Sequence, residues 1–380
     1  MTDKMAETTP LWQRYRDQFP VTRNLVYLNH AAVAPLSRRA AEAMQWLAQD
    51  ALDCGSEHYA QWMAAYQGLR VVAARMINAA PAEIAIVKNT SEGIATVAIG
   101  IDWKPGDVVV AFEEEFPANV YPWKRLESRG VEIRWLSIFD DLNRIDEAAK
   151  GARLLAISYV QYLSGYRVDL DKIGEICRRR GCFFFLDAIQ GLGAFPINVE
   201  SAHIDALAAD GHKWLLGPEG CGILYVRQAL QDQIEPVEFG WTNVAKYADY
   251  ASRDMSLRHD AGRYECGTLN TIGCYGLRAA FELLLEIGVA NVSVAVQELG
   301  DRIWEGAREL GFETLGSRSA STGAGIVSIR KRGVESQLIV RRLRDARFIA
   351  APRQGWVRIA PHFYIAPAEI DALLEELRSH

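Results

Sequence analysis

The stretch that decides the fold reads GCFFFLDAIQG and covers residues 181–191. Residues 182–186 are apolar at every position, which is typical of a strand buried on both faces of a sheet. The run ends in Asp187, and a buried carboxylate is costly unless it meets a cation. We therefore predict a parallel strand that places Asp187 at a functional edge, with helix capping as the alternative role.

Short apolar runs of the same kind alternate with amphipathic helical patterns on both sides of this stretch. The predicted strands are residues 84–87, 108–112, 131–136, 154–159, 182–186, 206–209 and 222–226. Such alternation predicts an α/β fold with a doubly wound, mostly parallel sheet of seven strands. An alanine-rich helical region precedes the sheet at residues 37–78, interrupted near Cys54 and Gly55.

The pattern changes after residue 275. Long helical segments at 276–287 and 291–310 lead into shorter strand and helix patterns, and a last helix follows Pro367. We predict a large domain over residues 31–275 and a small α+β domain over residues 276–380. Residues 1–30 are predicted to form an N-terminal arm that joins the small domain.

Composition argues against several classes of function. Lys and Arg total 42 against 48 Asp and Glu, for a net charge of −6, so neither nucleic acid nor a membrane surface is an expected partner. The six cysteines contain no C-x-x-C pair and the seven histidines show no ligand spacing, so we expect no metal. Without a disulfide framework or an apolar leader, a cytoplasmic protein is expected.

The ends of two other predicted strands carry polar groups of interest. Residues 84–87 are followed by a polar turn and a helix that begins with Thr90 and Ser91, a setting that favours an anion such as phosphate, or is an ordinary helix cap. Residues 206–209 are followed by Asp210, His212 and Lys213. A desolvated lysine there can form a Schiff base, although a surface lysine is the simpler alternative.

These strand ends together suit pyridoxal 5′-phosphate. The helix beginning at Thr90 can take the phosphate, Asp187 can pair with the protonated pyridine nitrogen, and Lys213 can hold the aldehyde. The sequence then resembles the class V aminotransferase family of fold-type I pyridoxal phosphate-dependent enzymes, with its cysteine desulfurases, selenocysteine lyases and isopenicillin N epimerase-like proteins. The resemblance runs from Tyr27 to about Tyr364 and is strongest from Phe185 to Pro218.

The resemblance implies a role for each matching residue. Lys213 and Asp187 would be catalytic. The cofactor would be bound by Thr90, Ser91, Phe116, Gln161, Asp187, Gln190, Asp210, His212, Lys213 and Thr268. The substrate would meet Asn29, Ala31, Arg353 and Arg358, with Arg353 as the arginine that grips the α-carboxylate. Thr268 would reach the phosphate of a neighbouring subunit, which implies a homodimer with shared active sites.

Departures from the family pattern bear on the reaction. Arg358 stands where the selenocysteine lyase-like branch has its catalytic cysteine, so a persulfide-forming desulfurase is not expected. Phe116 stands where desulfurases stack a histidine on the ring, and Asp210 where many relatives have serine. Two roles are open for Arg358: an ion pair at the end of a strand, or a contact to a second acidic group of the substrate. The acidic run 113–115 is expected to be a solvated turn.

The sequence therefore predicts an enzyme that acts on an amino acid or related amine. An aminotransferase is the leading prediction. A carbon–sulfur or β-elimination lyase and an epimerase are the alternatives, because all three share this apparatus. A non-catalytic binding module is disfavoured because both Lys213 and Asp187 are present.

Overall fold

The computed structural model describes residues 9–379. Its α-helices are α1 (Leu11–Arg14), α2 (Arg38–Cys54), α3 (Tyr59–Ile77), α4 (Thr90–Gly100), α5 (Tyr121–Lys124), α6 (Leu142–Ala148), α7 (Leu170–Arg180), α8 (Thr271–Ile287), α9 (Val289–Glu309), α10 (Ser336–Asp345) and α11 (Pro367–Leu377). Its strands are β1 (Val26–Tyr27), β2 (Ile84–Val87), β3 (Val108–Phe112), β4 (Glu132–Leu136), β5 (Leu154–Ser158), β6 (Phe183–Asp187), β7 (Ala206–Asp210), β8 (Gly222–Val226), β9 (Glu313–Thr314), β10 (Val327–Arg330), β11 (Phe348–Ile349), β12 (Ala351–Arg353) and β13 (Trp356–Ile359).

The predicted large sheet is confirmed. Seven strands are ordered β2-β8-β7-β6-β5-β3-β4, and all neighbouring pairs are parallel except the two that involve β8. Because β8 runs opposite to both of its neighbours, β2 still points the same way as β7. The carboxyl ends of β2, β3, β5, β6 and β7 therefore meet at one edge of the sheet.

The composition of the strands explains why the sheet lies in the middle of a layered unit. Strands β2, β3, β5, β7 and β8 are buried at every position. Their alternate side chains enter two separate apolar clusters, as Phe184 and Leu186 enter one while Phe185 enters the other. Helices must therefore cover both faces, as the uniformly apolar runs predicted.

Helix α4 lies unusually close to this sheet. A Cβ atom added to Gly93 would stand 2.7 Å from the Cβ of Ala208 on β7, so only glycine permits this approach. The side chain of Asn89 caps the helix by accepting a hydrogen bond from the Glu92 N–H. The first turn of α4, with Thr90 and Ser91, is thus fixed beside the carboxyl end of β7.

A four-stranded sheet of order β12-β13-β10-β9 forms later in the chain, and strand β1 pairs in parallel with β11. The N-terminal segment therefore contacts the C-terminal part of the chain. The predicted boundary at residues 275 and 276 falls inside helix α8, which packs against α2 and α3. The division into domains stays a prediction.

Within residues 9–379, no single helix has the length and apolar character needed to cross a membrane. Helices α8 and α9 meet those two criteria only when taken together, and they are bent by 83° at their junction.

Candidate active site

A cavity of about 550 Å³ opens at the carboxyl edge of the large sheet. Polar side chains from several strand ends and from the C-terminal sheet face it. Its lining includes Ala31, Thr90, Ser91, Phe116, Ser158, Tyr162, Asp187, Gln190, Asp210, His212, Lys213, Arg353, Gln354 and Arg358. The structure thus brings together most of the residues that the sequence singled out.

Asp187 ends strand β6 and is 2 % exposed. Its Oδ1 accepts a hydrogen bond of 3.1 Å from the Ile189 N–H. Burial raises the pKa of Asp187 to about 6, while that hydrogen bond and the charge of Lys213 act in the opposite direction. A carboxylate held in this way favours a cationic partner such as a protonated ring nitrogen.

Lys213 follows strand β7 and is partly buried within the cavity. Burial lowers the pKa of its amine to about 8, while Asp187 and Asp210 raise it and Arg358 and Arg353 lower it further. The ammonium lies 5.7 Å from the centre of the Phe116 ring. A lysine with a lowered pKa is suited to attack an aldehyde and to carry protons near neutral pH.

The first turn of α4 forms the anion-binding side of the cavity. The Thr90 hydroxyl accepts a hydrogen bond of 3.0 Å from the Asp210 N–H, which ties the helix to the end of β7. His212 Nδ1 lies 3.0 Å from Asp210 Oδ2, but the two atoms are not aligned for a hydrogen bond. This buried nitrogen therefore has no hydrogen-bond partner. Free N–H groups of the helix, two hydroxyls and this imidazole make a suitable phosphate cradle.

Two arginines approach the cavity from the C-terminal sheet and differ in burial. Arg353, at the end of β12, is exposed, whereas Arg358, on β13, is 3 % exposed. Arg358 donates a hydrogen bond of 2.9 Å to the Tyr162 carbonyl oxygen, and its Nε has no partner. Arg358 is therefore the more rigidly held cation of the two.

Four predicted residues have environments that differ from their predicted roles. The Gln190 amide lines the cavity but is already bound, because its Nε2 donates to the Ala31 carbonyl and its Oε1 accepts from Trp214. Gln161 lies outside the lining, with its amide bound to backbone groups of Glu114, Leu163 and Ser164.

Asn29 and Thr268 also lie outside the cavity lining. Asn29 bridges to Ala360 through its backbone, and its buried Oδ1 has no partner. Thr268 lines a surface groove with Trp241 and Leu269 instead. The predicted role of Thr268 in a partner's site stays a prediction.

Glu115 corrects one expectation of the sequence analysis. The acidic run 113–115 was expected to be solvated, but Glu115 is 6 % exposed and accepts hydrogen bonds from the N–H and hydroxyl of Ser158. Burial, and next the charge of Asp187, raise the pKa of Glu115 to about 8. The run follows strand β3, and its position at a strand end was the available signal for a buried role.

These groups fit pyridoxal 5′-phosphate. The site offers an amine with a lowered pKa, a buried carboxylate, and an anion cradle with an orphaned imidazole nitrogen. The Phe116 side chain, 49 % exposed, presents a face beside Lys213 on which a flat ring can stack. All of these groups line one cavity, as a cofactor with a phosphate, a ring nitrogen and an aldehyde requires.

Residues 26–355 match the class V aminotransferase family. The chain belongs to this family. Its members are pyridoxal phosphate-dependent enzymes, and this class V chain is therefore an enzyme that uses pyridoxal 5′-phosphate. The fold, the enzyme class and the cofactor predicted from the sequence are confirmed.

Several relatives of this class V enzyme carry different names. It is 30 % identical to a probable cysteine desulfurase of Pyrococcus abyssi, over 95 % of this chain and 96 % of that protein. It is 29 % identical to the uncharacterized aminotransferase YcbU of Bacillus subtilis, over 96 % and 97 % of the two chains. The apo structure of a cysteine desulfurase from Thermococcus onnurineus superposes with a TM-score of 0.89 at 26 % identity and 97 % coverage of both chains.

One cluster of metal-ligand types occurs outside this cavity. The ligand atoms of Asp50, Cys54 and His58 lie within 4.8 Å of one another where α2 leads to α3. This cluster was not expected from the sequence. Asp50 already accepts hydrogen bonds from His58 and from the Trp62 indole, so an ordinary ion pair accounts for the arrangement.

Proposed function

We propose that this class V enzyme is an aminotransferase that acts on an amino acid. The observation that carries the proposal is the isolation of Lys213. Among the described residues no hydrogen bond or ion pair engages its amine, whereas Asp187, Asp210 and the Tyr162 hydroxyl each have a partner. One unengaged base favours a reaction in which a single group both removes and returns a proton.

The cofactor, when bound, supplies an electron-withdrawing ring that stabilises the carbanion formed at the substrate Cα. The residues of the chain do the rest. Lys213 in its neutral form would take the Cα proton and return it to the carbon on the other side of the amino nitrogen, and this 1,3 shift is the one that transamination needs. Asp187 maintains a negative charge at the sheet edge, and His212 with the α4 N-terminus holds the anionic end of the cofactor.

We further propose that Arg358 binds the α-carboxylate of the substrate. The family resemblance gave this role to Arg353, but burial favours Arg358. A fixed guanidinium, already desolvated and anchored by the Tyr162 carbonyl, loses less entropy on binding than an exposed side chain. Bidentate geometry then orients the substrate with its Cα near Lys213.

A β-elimination lyase is the second candidate. Its support is the likeness to relatives named as cysteine desulfurases. Within residues 9–379, however, none of the side chains that line the cavity is a cysteine. A reaction that leaves sulfur on the enzyme therefore has no acceptor in the cavity, whereas elimination needs none.

Product analysis separates the two candidates. Holoenzyme incubated with a panel of L-amino acids should yield the matching keto acid in an amount equal to the enzyme, with aminated cofactor detected by mass spectrometry. Ammonium and pyruvate produced over many turnovers, without aminated cofactor, would establish the lyase instead.

We also propose that the enzyme is a homodimer. The segment 237–255 exposes large apolar side chains that a monomer rarely presents together, namely Val237, Phe239, Trp241, Tyr250 and Met255. Thr268 lies in the groove that Trp241 lines. A partner that covers this surface would bury the apolar side chains and bring its own cavity close to Thr268.

A further inference from the structure

Arg353 and Arg358 lie on the same face of one β-hairpin. Strands β12 and β13 pair so that Ala351 is opposite Arg358, and Arg353 is two residues from Ala351. Directly opposed residues share a face, as do residues two apart along a strand. The turn between the strands, Gln354 and Gly355, has φ values of 47° and 82°, as a tight hairpin turn requires.

Neither arginine has a carboxylate partner. In residues 9–379, no acidic side chain lies within ion-pair distance of Arg353 or Arg358. Other arginines with little exposure do have such partners, as Arg70 pairs with Glu265, Arg263 with Asp232 and Arg318 with Asp301. The hairpin thus carries two guanidinium groups into the cavity with no protein anion to neutralise them.

This arrangement costs free energy in the ligand-free protein. Burial, and next the charge of Arg353, lower the pKa of Arg358 to about 10, and both arginines disfavour the charged form of Lys213. A single carboxylate carries one negative charge, so even when it contacts both arginines it leaves one positive charge uncompensated. Two anionic groups would neutralise both and remove the repulsion between them.

We propose that the substrate carries a second anionic group, which Arg353 binds while Arg358 holds the α-carboxylate. The inference rests on the proposed function, because it assigns the α-carboxylate to Arg358. Two kinds of substrate supply such a group. A short acidic amino acid supplies it through its side-chain carboxylate, and a double amino acid such as cystine supplies it through its second α-carboxylate. Arg353 lies at the exposed end of the hairpin, so it is the arginine able to adjust to the length of the side chain.

Binding of unreactive acids tests the proposal without turnover. Isothermal calorimetry on holoenzyme should show that succinate or glutarate binds at least about tenfold more tightly than butyrate, the gain expected from one more charge-assisted contact. Arg353→Gln should remove that difference, so that the two diacids bind no more tightly than butyrate does to the same variant. Arg332→Gln, which removes the same charge from an exposed turn outside the cavity, should keep the wild-type preference.

Equal affinity of the wild type for the two classes of acid would overturn the proposal, as would a preference that survives Arg353→Gln. Loss of the cofactor from Arg353→Gln at neutral pH would also overturn it, since that outcome assigns the arginine to the cofactor. Because Arg353 is exposed, its substitution should not prevent folding, and a wild-type melting temperature would verify this.

Kinetics then identify the source of the second anion. If the second anion is a side-chain carboxylate, kcat/KM for L-aspartate or L-glutamate should exceed that for L-alanine. If it is the second α-carboxylate of a double amino acid, kcat/KM for L-cystine should exceed that for L-alanine. Equal values for all four substrates would contradict the inference but leave the proposed function intact. If no amino acid reacts but the preference for dicarboxylates persists, the proposed function fails and the paired arginine site remains.

Discussion

Asp187 and Lys213 occupy the same cavity, and burial displaces their pKa values towards each other. Burial raises the pKa of Asp187 to about 6 and lowers that of Lys213 to about 8, because both charged forms lose hydration. Each charge limits the displacement of the other. The site therefore holds a carboxylate that stays ionised at neutral pH beside an amine that is partly neutral.

Cofactor capture by the apoenzyme should depend on pH. Only the neutral amine of Lys213 attacks an aldehyde, and its fraction grows as the pH rises through about 8. The rate of appearance of the visible absorbance band should rise from pH 6.5 to 9 and then level off. In Lys213→Ala the band and the borohydride-stable adduct should be absent, and turnover in that variant would contradict the assigned role.

Arg358 should matter for every amino acid substrate. Removal of a buried, hydrogen-bonded cation that holds a carboxylate costs about 2–5 kcal/mol, which lowers kcat/KM by about 30-fold or more. Arg358→Gln should show this loss with L-alanine, a substrate that has a single carboxylate. Arg353→Gln should change the L-alanine value by less than about threefold, since exposed charges contribute little.

If Arg353→Gln lost kcat/KM for L-alanine and Arg358→Gln did not, the α-carboxylate would be assigned to Arg353 again. Melting temperatures of both variants, measured with cofactor bound, separate a loss of binding from a loss of folding.

The difference in stability between Glu115→Gln and the wild type should shift in favour of the variant as the pH rises. The pKa of Glu115 is raised to about 8 in the folded protein and is about 4.3 in the unfolded chain. Between these values the unfolded chain binds fewer protons, so the wild type loses stability with increasing pH. Gln cannot ionise, and its amide can accept from the Ser158 N–H and donate to the Ser158 hydroxyl.

Urea unfolding of the two proteins at pH 5, 6.5 and 8 measures this effect. The difference in the free energy of unfolding should grow in favour of Glu115→Gln across the series. A difference that stays constant would mean that Glu115 is ionised in the folded protein.

Any sulfide released from L-cysteine should not require a cysteine of the chain. All six are free, namely Cys54, Cys177, Cys182, Cys221, Cys266 and Cys274, and none lines the cavity. Four of the six are buried, so single serine variants are preferable to one combined variant. Each single variant should retain the wild-type rate in a sulfide assay with a thiol reductant. Loss of sulfide release in one correctly folded variant would identify a persulfide carrier and refute the aminotransferase assignment.

Subunit mixing tests the shared site. Lys213→Ala and Thr268→Arg should each be inactive, but a mixed dimer contains one site with an intact lysine and an intact threonine. Co-refolding equal amounts should recover about a quarter of the wild-type activity, because half of the dimers are mixed and each has one working site.

Trp241→Glu should shift the sedimentation coefficient towards that of a monomer, while Leu338→Glu, at an equally exposed position on α10, should not. No recovery on mixing, together with an active monomer, would rule out sharing.

The sequence by itself determined the sheet and the chemistry at its edge. Runs such as 182–186 and 222–226 are apolar throughout, which is typical of strands buried on both faces, and parallel strands place the residues after them at one edge. Asp187, Lys213 and Thr90 therefore converged as predicted, because each is attached to a strand end by at most three residues.

Only the tertiary structure decided the state of groups whose environment comes from distant parts of the chain. Glu115 looked solvated within its acidic run, yet Ser158 on another strand buries it. The sequence left Arg358 open between a strand-end ion pair and a substrate contact, but the Tyr162 carbonyl, 196 residues away in sequence, fixes it at the cavity. Gln161 turned to neighbouring backbone groups instead of the cavity. Local pattern sets which face a residue occupies, whereas burial, charge and hydrogen bonding depend on contacts that only the folded chain creates.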